Sequence, residues 1–486
     1  MYEVYSARRF PSAPWCRRWL LGTLLVAVMT CGQAAVPEAV NFQQAVRLAL
    51  TANPRALAST AQVQAARAGV TEARGRALPQ LGLVLNAARS DNPLNVFGYR
   101  LAESSATFAD FGLGEYTGPG SVNTAPTALN VPGYANNYDT GVVLSIPLFA
   151  GGADQAHIKE SHALLAAAQQ GDAAARAGLI YEVLQAYAGV RATQELAAAA
   201  RQALAAAQAY AGTAASLYRQ GIVIESDVLL AKAHAESARA ALSAAEAEAQ
   251  NQLDAFRMLI GRPDSDLVPG LAVEMPAPAG TLLTLEDQAL AHNPQLLAMR
   301  SRKVAGEAAT GAARAAYWPQ VNLVLRHDWN ADSLALRAPS NTVMALFSWQ
   351  IFNSGAQYGA LQRAEAEQRR AAAQYQATAD AIRLAVDRTF RGAETAALQA
   401  QASDLIAGQA RQAAHLLSLR YAQGLTTLAQ LLDGQARLDA ARAGRVQAHY
   451  DALLARARLR LLTNELDTAP ATSPSADEAT TKDQGN

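Results

Sequence analysis

Four short segments of the chain alternate between apolar and polar residues with a period of two. They lie at about residues 81–89, 141–149, 321–329 and 342–352. In the third segment, Leu323 and Leu325 fall on one face, while Arg326 and Asp328 fall on the other. Such alternation predicts β-strands, and strands of about nine residues can separate lipid from water in a membrane β-barrel. A soluble sheet resting on helices would show the same alternation.

Two long stretches, residues 148–262 and 340–469, contain no proline. An interior proline costs a helix about 3 kcal/mol or more, so both stretches can be helical. Each is interrupted once, at Gly221 and Gly424, where a glycine can end a helix in the left-handed conformation. A helix over residues 153–217 would measure on the order of 95 Å. We therefore expect long helical struts rather than the short helices of a globular core.

The chain contains an internal repeat. Asn53-Pro54 recurs 240 residues later as Asn293-Pro294, and Gly221 recurs 203 residues later as Gly424. The offset changes because the 90–140 connection is much longer than the 330–341 connection. The predicted organisation is a first repeat, a proline-rich linker and a second repeat, at residues 36–261, 262–283 and 284–464.

The two Asn-Pro pairs predict helix starts, with asparagine as the cap and proline at the first helical position. The helices that follow should end near Arg76 and Ala316. Pro79 and Pro319 then mark the change from helix to strand in the two repeats.

Composition narrows the possible functions. The 486 residues include 41 basic and 41 acidic side chains, and this neutral balance argues against a nucleic-acid partner. We find neither a phosphate-binding loop nor a catalytic constellation, so we expect neither an enzyme nor a cofactor. His157 and His162 are five residues apart, a spacing that does not suit two metal ligands on one helix face.

Both ends of the chain predict segments outside the fold. Residues 1–35 combine arginines, an apolar run and small residues, as in a secretory signal peptide cleaved after Ala34 or Ala35. Lipidation of Cys31 is an alternative, although Val28-Met29-Thr30 lacks the usual small residue before the cysteine. Residues 465–486 are acidic and rich in Thr, Ser and Pro, which predicts a disordered tail.

Four strands cannot close a membrane barrel within one chain. Open strand edges are not tolerated in lipid, and the smallest single-chain bacterial barrels have about eight strands. Several chains must therefore combine, and three would supply twelve strands. The predicted assembly is a tube with a β end in the bilayer and an α end in the periplasm.

With these features, the chain resembles the TolC-type outer membrane factors, also called outer membrane efflux proteins. The resemblance rests on both Asn-Pro helix starts, the proline before each first strand, the 147–152 turn with its copy at 350–355, and the turns ending at Gly221 and Gly424. It implies a mainly α-helical homotrimer with a 12-stranded β-barrel in outer-membrane lipid and a periplasmic α-barrel. It also implies a periplasmic adaptor and an inner-membrane pump as partners.

The same resemblance implies a lock at the periplasmic tip. Asp227 matches an aspartate that pairs with a tyrosine of the second repeat, here Tyr421. Ser226 and Lys232 also fall at matching positions. Thr426 replaces an arginine of the family's lock, which predicts a weaker lock in this chain.

A narrow entrance is implied beside this lock. Gln430 replaces the first gate aspartate of the family, whereas Asp433 retains the second. Three copies of Asp433 would form one acidic ring that favours cations. The alternative is that Asp227 and Asp433 are ordinary solvated carboxylates. The turns at Gly221 and Gly424 are the implied adaptor-docking positions.

The leading hypothesis is a passive outer-membrane conduit of a tripartite export system. A non-conducting periplasmic coiled-coil adaptor or scaffold is the alternative, since adaptors also have long Ala-rich hairpins. A third hypothesis is a sensory or adhesive outer-membrane protein that uses the 90–140 loop, which is rich in Gly, Pro, Asn and Tyr.

Overall fold

The computed structural model describes residues 38–466, except residue 277. The predicted signal peptide, Cys31 and residues 467–486 of the predicted tail lie outside the described residues. Glu465 and Leu466, which the prediction placed in the tail, belong to the fold. Leu466 is buried in the core, and Gln288 donates a hydrogen bond to Glu465 at 2.6 Å.

Helices make up most of the described structure. They are α1 Phe42–Ala52, α2 Pro54–Arg76, α3 Pro93–Ala102, α4 Thr127–Asn130, α5 Ala153–Arg219, α6 Glu225–Leu259, α7 Leu282–His292, α8 Pro294–Ala315, α9 Ala356–Ala422 and α10 Leu428–Leu462. The strands are β1 Ala39–Val40, β2 Gln80–Ser90, β3 Ala135–Phe149, β4 Val268–Pro269, β5 Gln320–Ala331 and β6 Pro339–Ser348. None of these helices combines the length and the apolar character that crossing a bilayer requires.

The two repeats have the same helical dimensions. Helices α5 and α9 each contain 67 residues, and α6 and α10 each contain 35. At 1.5 Å per residue, the longer helices measure about 100 Å. The predicted mainly α architecture with paired long helices is confirmed.

The two Asn-Pro pairs hold corresponding corners of the repeats. Asn53 accepts a hydrogen bond from the backbone of α2, and its Nδ2 donates to the Leu259 carbonyl at 3.0 Å. Asn293 caps α8, and its Nδ2 donates to the Leu462 carbonyl at 3.0 Å. Each asparagine therefore joins the start of one helix to the end of another. Both are buried.

Strands β2, β3, β5 and β6 form one antiparallel sheet in that order, so β2 and β6 are its edges. Strand β3 begins at Ala135, six residues before the predicted start. Strand β6 ends at Ser348, four residues before the predicted end. The register shifts near the end of β3, so Phe149 rather than Leu148 pairs with Val321.

A core beside the middle of α5 surrounds Tyr187. Its ring packs edge-on against Phe42 and Phe256, with centroid distances of 6.0 and 5.9 Å. Its hydroxyl donates to the carbonyls of Val40 and Leu271, at 3.2 and 2.9 Å. This core therefore connects the long helix α5 to both the N-terminal segment and the linker.

Candidate functional site

One face of the four-stranded sheet is apolar across all four strands. Leu83 pairs with Val142, and Leu325 pairs with Val343. Leu83 is 73% exposed and Val343 is 71% exposed in the single chain. A contiguous apolar surface of this kind is expected where a sheet contacts lipid or another protein.

The opposite face carries a charged cluster near the end of the sheet remote from the long helices. Arg326 Nη2 lies 2.6 Å from Asp139 Oδ2, and Arg326 Nε donates to Asp328 Oδ1. Asn86 also donates to Asp139, at 3.2 Å. Any side chain at Gly141 would overlap Asp328. Glycine at this position therefore lets Asp328 lie against the neighbouring strand.

The period-two alternation places Arg326 and Asp328 on the polar face but does not extend to Asp139. The predicted strand began at residue 141, after the polar run that contains Asp139. In the structure β3 extends through that run to Ala135. Asn136 and Thr140 on the opposite face of this run are also polar, so it has no apolar alternation that marks it as a strand.

The connection between β2 and β3 has a structure of its own. It contains α3 and α4, and the rings of Phe97 and Phe111 pack edge-on with their centroids 4.5 Å apart. Arg100 and Asp110 form an ion pair. The corresponding connection in the second repeat has only residues 332–338 between its strands. The two hairpins therefore present very different surfaces at the same end of the sheet.

The two interhelix turns lie side by side at the opposite end of the molecule. Gly221 and Gly424 adopt φ values of +73° and +71°, as a glycine helix end requires. The amide of Ile222 donates to the Leu217 carbonyl at 3.0 Å, and the second turn repeats this bond. A Cβ on Gly424 would lie 3.2 Å from Ile222 Cγ2, so the two turns are in contact.

Tyr421 occupies the core of this tip. It is 2% exposed and packs with Leu217 and Leu431. Its hydroxyl has no hydrogen-bond partner among the described residues. Burial raises the pKa of Tyr421, and the negative charge of Asp227 raises it further. The structure thus places Asp227 near enough to Tyr421 for its charge to act on the hydroxyl, without a hydrogen bond between the two in one chain.

The predicted gate residues lie on the first turns of α10. Asp433 Oδ2 lies 3.0 Å from Arg437 Nε, and both side chains are exposed. Gln430 takes part in a capping box with Thr427, whose Oγ1 accepts from the Gln430 amide at 3.3 Å. Thr426 donates its hydroxyl hydrogen to Gln430 Oε1. In this chain Gln430 therefore stabilises the start of α10.

The other candidate residues are exposed or have separate partners. Ser226 and Lys232 lie on the first turns of α6 and are exposed. His157 pairs with Glu160, whereas His162 contacts Arg74. Within residues 38–466, no three His, Cys, Asp or Glu side chains are grouped to hold a metal ion.

The family profile described as Outer membrane efflux protein matches residues 45–262 and 285–465. The chain belongs to this family. Residues 263–284 separate the two matched ranges. The TolC-type resemblance is confirmed, and membership makes the chain an outer-membrane protein that extends into the periplasm.

Two curated relatives match part of the chain. Protein CyaE of Bordetella pertussis is 32% identical over 195 residues, covering 38% of this chain and 41% of CyaE. The pyoverdine export outer membrane protein OpmQ of Pseudomonas putida is 26% identical over 261 residues, covering 47% of this chain and 56% of OpmQ. The chain therefore spans about half the length of the curated relatives it matches.

Solved structures share the fold over most of the chain. A membrane protein from Pseudomonas aeruginosa superimposes with a TM-score of 0.74 at 21% identity, covering 87% of this chain and 93% of that one. The outer membrane protein VceC of Vibrio cholerae gives a TM-score of 0.71 at 20% identity, covering 87% and 95%. At these identities the likeness establishes the fold alone.

Proposed function

We propose that the chain forms the outer-membrane channel of a tripartite export system, a passive and gated conduit from periplasm to exterior. The observation that carries this proposal is the open sheet, apolar on one face and charged on the other, attached to helices about 100 Å long. Lipid does not tolerate open strand edges. Three chains, each pairing its β6 with the β2 of the next, would close a 12-stranded barrel.

The proposed partners are a periplasmic adaptor and an inner-membrane pump, which would supply the energy for export. The adaptor would dock at the turns around Gly221 and Gly424. Ile222, Ile224 and Leu425 are between 53% and 68% exposed there, which provides an apolar surface for a helical partner. The name of OpmQ describes pyoverdine export, and this chain's similarity to OpmQ supports an export role.

The tip would act as the gate. In the trimer, Tyr421 and Asp227 would hold adjacent helix pairs closed, and three copies of Asp433 would form a cation-favouring ring. Ser226, Lys232 and Thr426 would border this lock. Adaptor binding would open the helices in an iris-like movement, and it can do so only by binding the open state more tightly than the closed state.

Membrane extraction and pore formation separate this function from that of an adaptor. We expect the protein to remain in the outer-membrane fraction through high-salt and carbonate washes, and to form pores in planar bilayers after purification in detergent. An adaptor or scaffold would be released by these washes and would conduct no current. Release into the wash together with the absence of pores would refute the channel.

A further inference from the structure

The charged cluster of the sheet has a defined depth in the proposed barrel. Asp139 pairs in register with Asn86 on one side and with Asn330 on the other, and Asp328 pairs with Gly141. These positions lie near the strand ends that join the 91–134 and 332–338 connections, far from the long helices α5 and α9. Because lipid must face the apolar side of the sheet, the cluster faces the water-filled interior near the exit.

Both carboxylates of the cluster hold the same arginine. Arg326 contacts Asp139 through Nη2 and Asp328 through Nε. The side chains of Asp139 and Asp328 are only 15% and 11% exposed, whereas Arg326 is 35% exposed. Bidentate and charge-assisted contacts of this type fix an arginine in place. The three side chains therefore carry one net negative charge per chain in a fixed position.

We propose that Asp139, Arg326 and Asp328 determine the charge selectivity of the channel at its exit. The proposal rests on the proposed function, because it needs a closed pore. Three copies of the cluster would form a ring with three net negative charges, at the end of the tube opposite to the tip. The ring would favour cations, with Arg326 acting as a built-in counter-charge that limits this preference.

Ionic strength decides how strongly such a ring acts. A 12-stranded barrel has a backbone radius of about 12 Å. The Debye length is about 8 Å at physiological salt and about 30 Å near 10 mM. Adding or removing one charge per chain should therefore change the axial cation concentration about threefold near 10 mM, and less than twofold at physiological salt.

A charge series at these three positions tests the proposal. Arg326→Gln gives the trio a charge of −2, wild type −1, Asp139→Asn or Asp328→Asn 0, and the double Asp139→Asn/Asp328→Asn +1. Reversal potentials would be measured in planar bilayers across a KCl gradient near 10 mM. The cation-to-anion permeability ratio should fall stepwise along this series, and the double variant should prefer anions.

Two controls separate charge from structural damage. Arg326→Lys keeps the charge of the trio, so its permeability ratio should lie closer to that of wild type than to that of Arg326→Gln. Asp264→Asn removes one carboxylate from the exposed linker and should leave the permeability ratio unchanged. The series would be repeated with Asp433→Asn in every chain, so that the tip ring contributes no charge. Detergent-solubilised mass would verify that each variant keeps the wild-type assembly.

The outcomes distinguish this proposal from the proposed function. If the variants form pores of wild-type size and the permeability ratio stays constant as the trio charge goes from −2 to +1, the proposed selectivity of the trio is overturned. The proposed channel would then still stand. Preparations that form no pore even as wild type would overturn the channel itself. A permeability ratio that changes as much at physiological salt as near 10 mM would also overturn this selectivity, because salt must screen the charge of the trio.

Discussion

The two interhelix turns have the same backbone conformation, but only the second buries its tyrosine. Tyr218 and Tyr421 occupy equivalent positions 203 residues apart, yet Tyr218 is 45% exposed and Tyr421 is 2% exposed. The first tip therefore presents its tyrosine to solvent, whereas the second encloses its tyrosine in the tip core. The long helices have equal lengths in the two repeats, so the repeats diverge in side-chain packing at the turns and not in helix length.

The helix that follows each turn also begins differently in the two repeats. Thr427 and Gln430 form a capping box at the start of α10. At the equivalent positions of α6, Ile224 provides no side-chain cap and Asp227 stands in place of the glutamine. The start of α10 is therefore capped by side chains of its own chain, whereas the start of α6 keeps an acidic side chain whose charge acts on Tyr421.

Asn53 and Asn293 make the same contacts in the two repeats, so replacing either should lower the free energy of unfolding by the same amount. This is the largest effect that we expect. Asn53→Ala and Asn293→Ala each remove a helix cap and a hydrogen bond to the end of another helix. Each should lower the free energy of unfolding by about 2–3 kcal/mol. Denaturant or thermal unfolding in detergent measures this. Asn92→Ala, which removes a cap only from α3, is the control and should cost about 1 kcal/mol. Unequal costs at Asn53 and Asn293 would show that the repeats are not mechanically equivalent.

Because the two tyrosines differ in burial, Tyr421→Phe and Tyr218→Phe should differ in their effect on channel conductance. A hydrogen bond to a charged group contributes about 1.5–3 kcal/mol. Loss of a Tyr421–Asp227 lock should therefore raise the ratio of open to closed tips by about tenfold or more. Single-channel conductance should rise for Tyr421→Phe, rise less for Asp433→Asn and stay unchanged for Tyr218→Phe. Unchanged conductance in both Tyr421→Phe and Asp433→Asn would refute the lock and the gate.

Exchanging the caps should make the two tips more alike. Ile224→Thr would give α6 a Thr-x-x-Asp capping box and should stabilise it by about 1 kcal/mol, while Thr427→Ile should cost α10 a similar amount. Limited proteolysis at the tip turns reports both changes. Ile224→Thr should also weaken the lock, since Asp227 would be drawn toward the helix start. Equal cleavage rates in wild type and both variants would contradict the capping difference.

The smallest expected effect concerns Asp439 and its counterpart in the first repeat, Glu236. Burial raises the pKa of Asp439, only partly opposed by Gln435, Arg442 and His234. A carboxyl with a raised pKa binds more protons in the folded protein, so its contribution to stability falls as pH rises above about 4. Asp439→Asn should therefore be more stable than wild type at pH 7, and this difference should disappear below about pH 4.

Unfolding curves across this pH range provide the measurement, with Glu236→Gln as the control. Glu236 is exposed and pairs with Arg239 at 2.6 Å, and exposed pairs of this kind contribute little. A stabilisation of Asp439→Asn that persists unchanged to low pH would contradict the assigned role of burial.

Local patterns were sufficient to predict the repeat, the long helices and the paired helix starts. Proline-free stretches permit the long helices, and the Asn-Pro pairs mark helix starts through the asparagine cap and the fixed proline φ. The true start of β3 was not predictable in this way. The polar run before residue 141 lacks apolar alternation, and its pairing with β2 and β5 holds it in the strand. Asp139 was missed for this reason.

The tip shows the same limit. Tyr218 and Tyr421 sit in similar local sequences, so periodicity could not tell which would be buried. The difference arises because Tyr421 packs between helices of both repeats, a contact between residues distant in the chain. The Thr427-x-x-Gln430 spacing is a local capping-box signal, and it predicts the role that Gln430 has at the start of α10.

The central claim is that three copies close one pore through their β2 and β6 edges. The most direct test measures the mass of the purified protein in detergent and the conductance of the same preparation in a planar bilayer. We expect a particle of three chains that forms pores of low conductance with a preference for cations. A monomeric, water-soluble protein without pores would contradict the account, and the four strands would then form a soluble sheet.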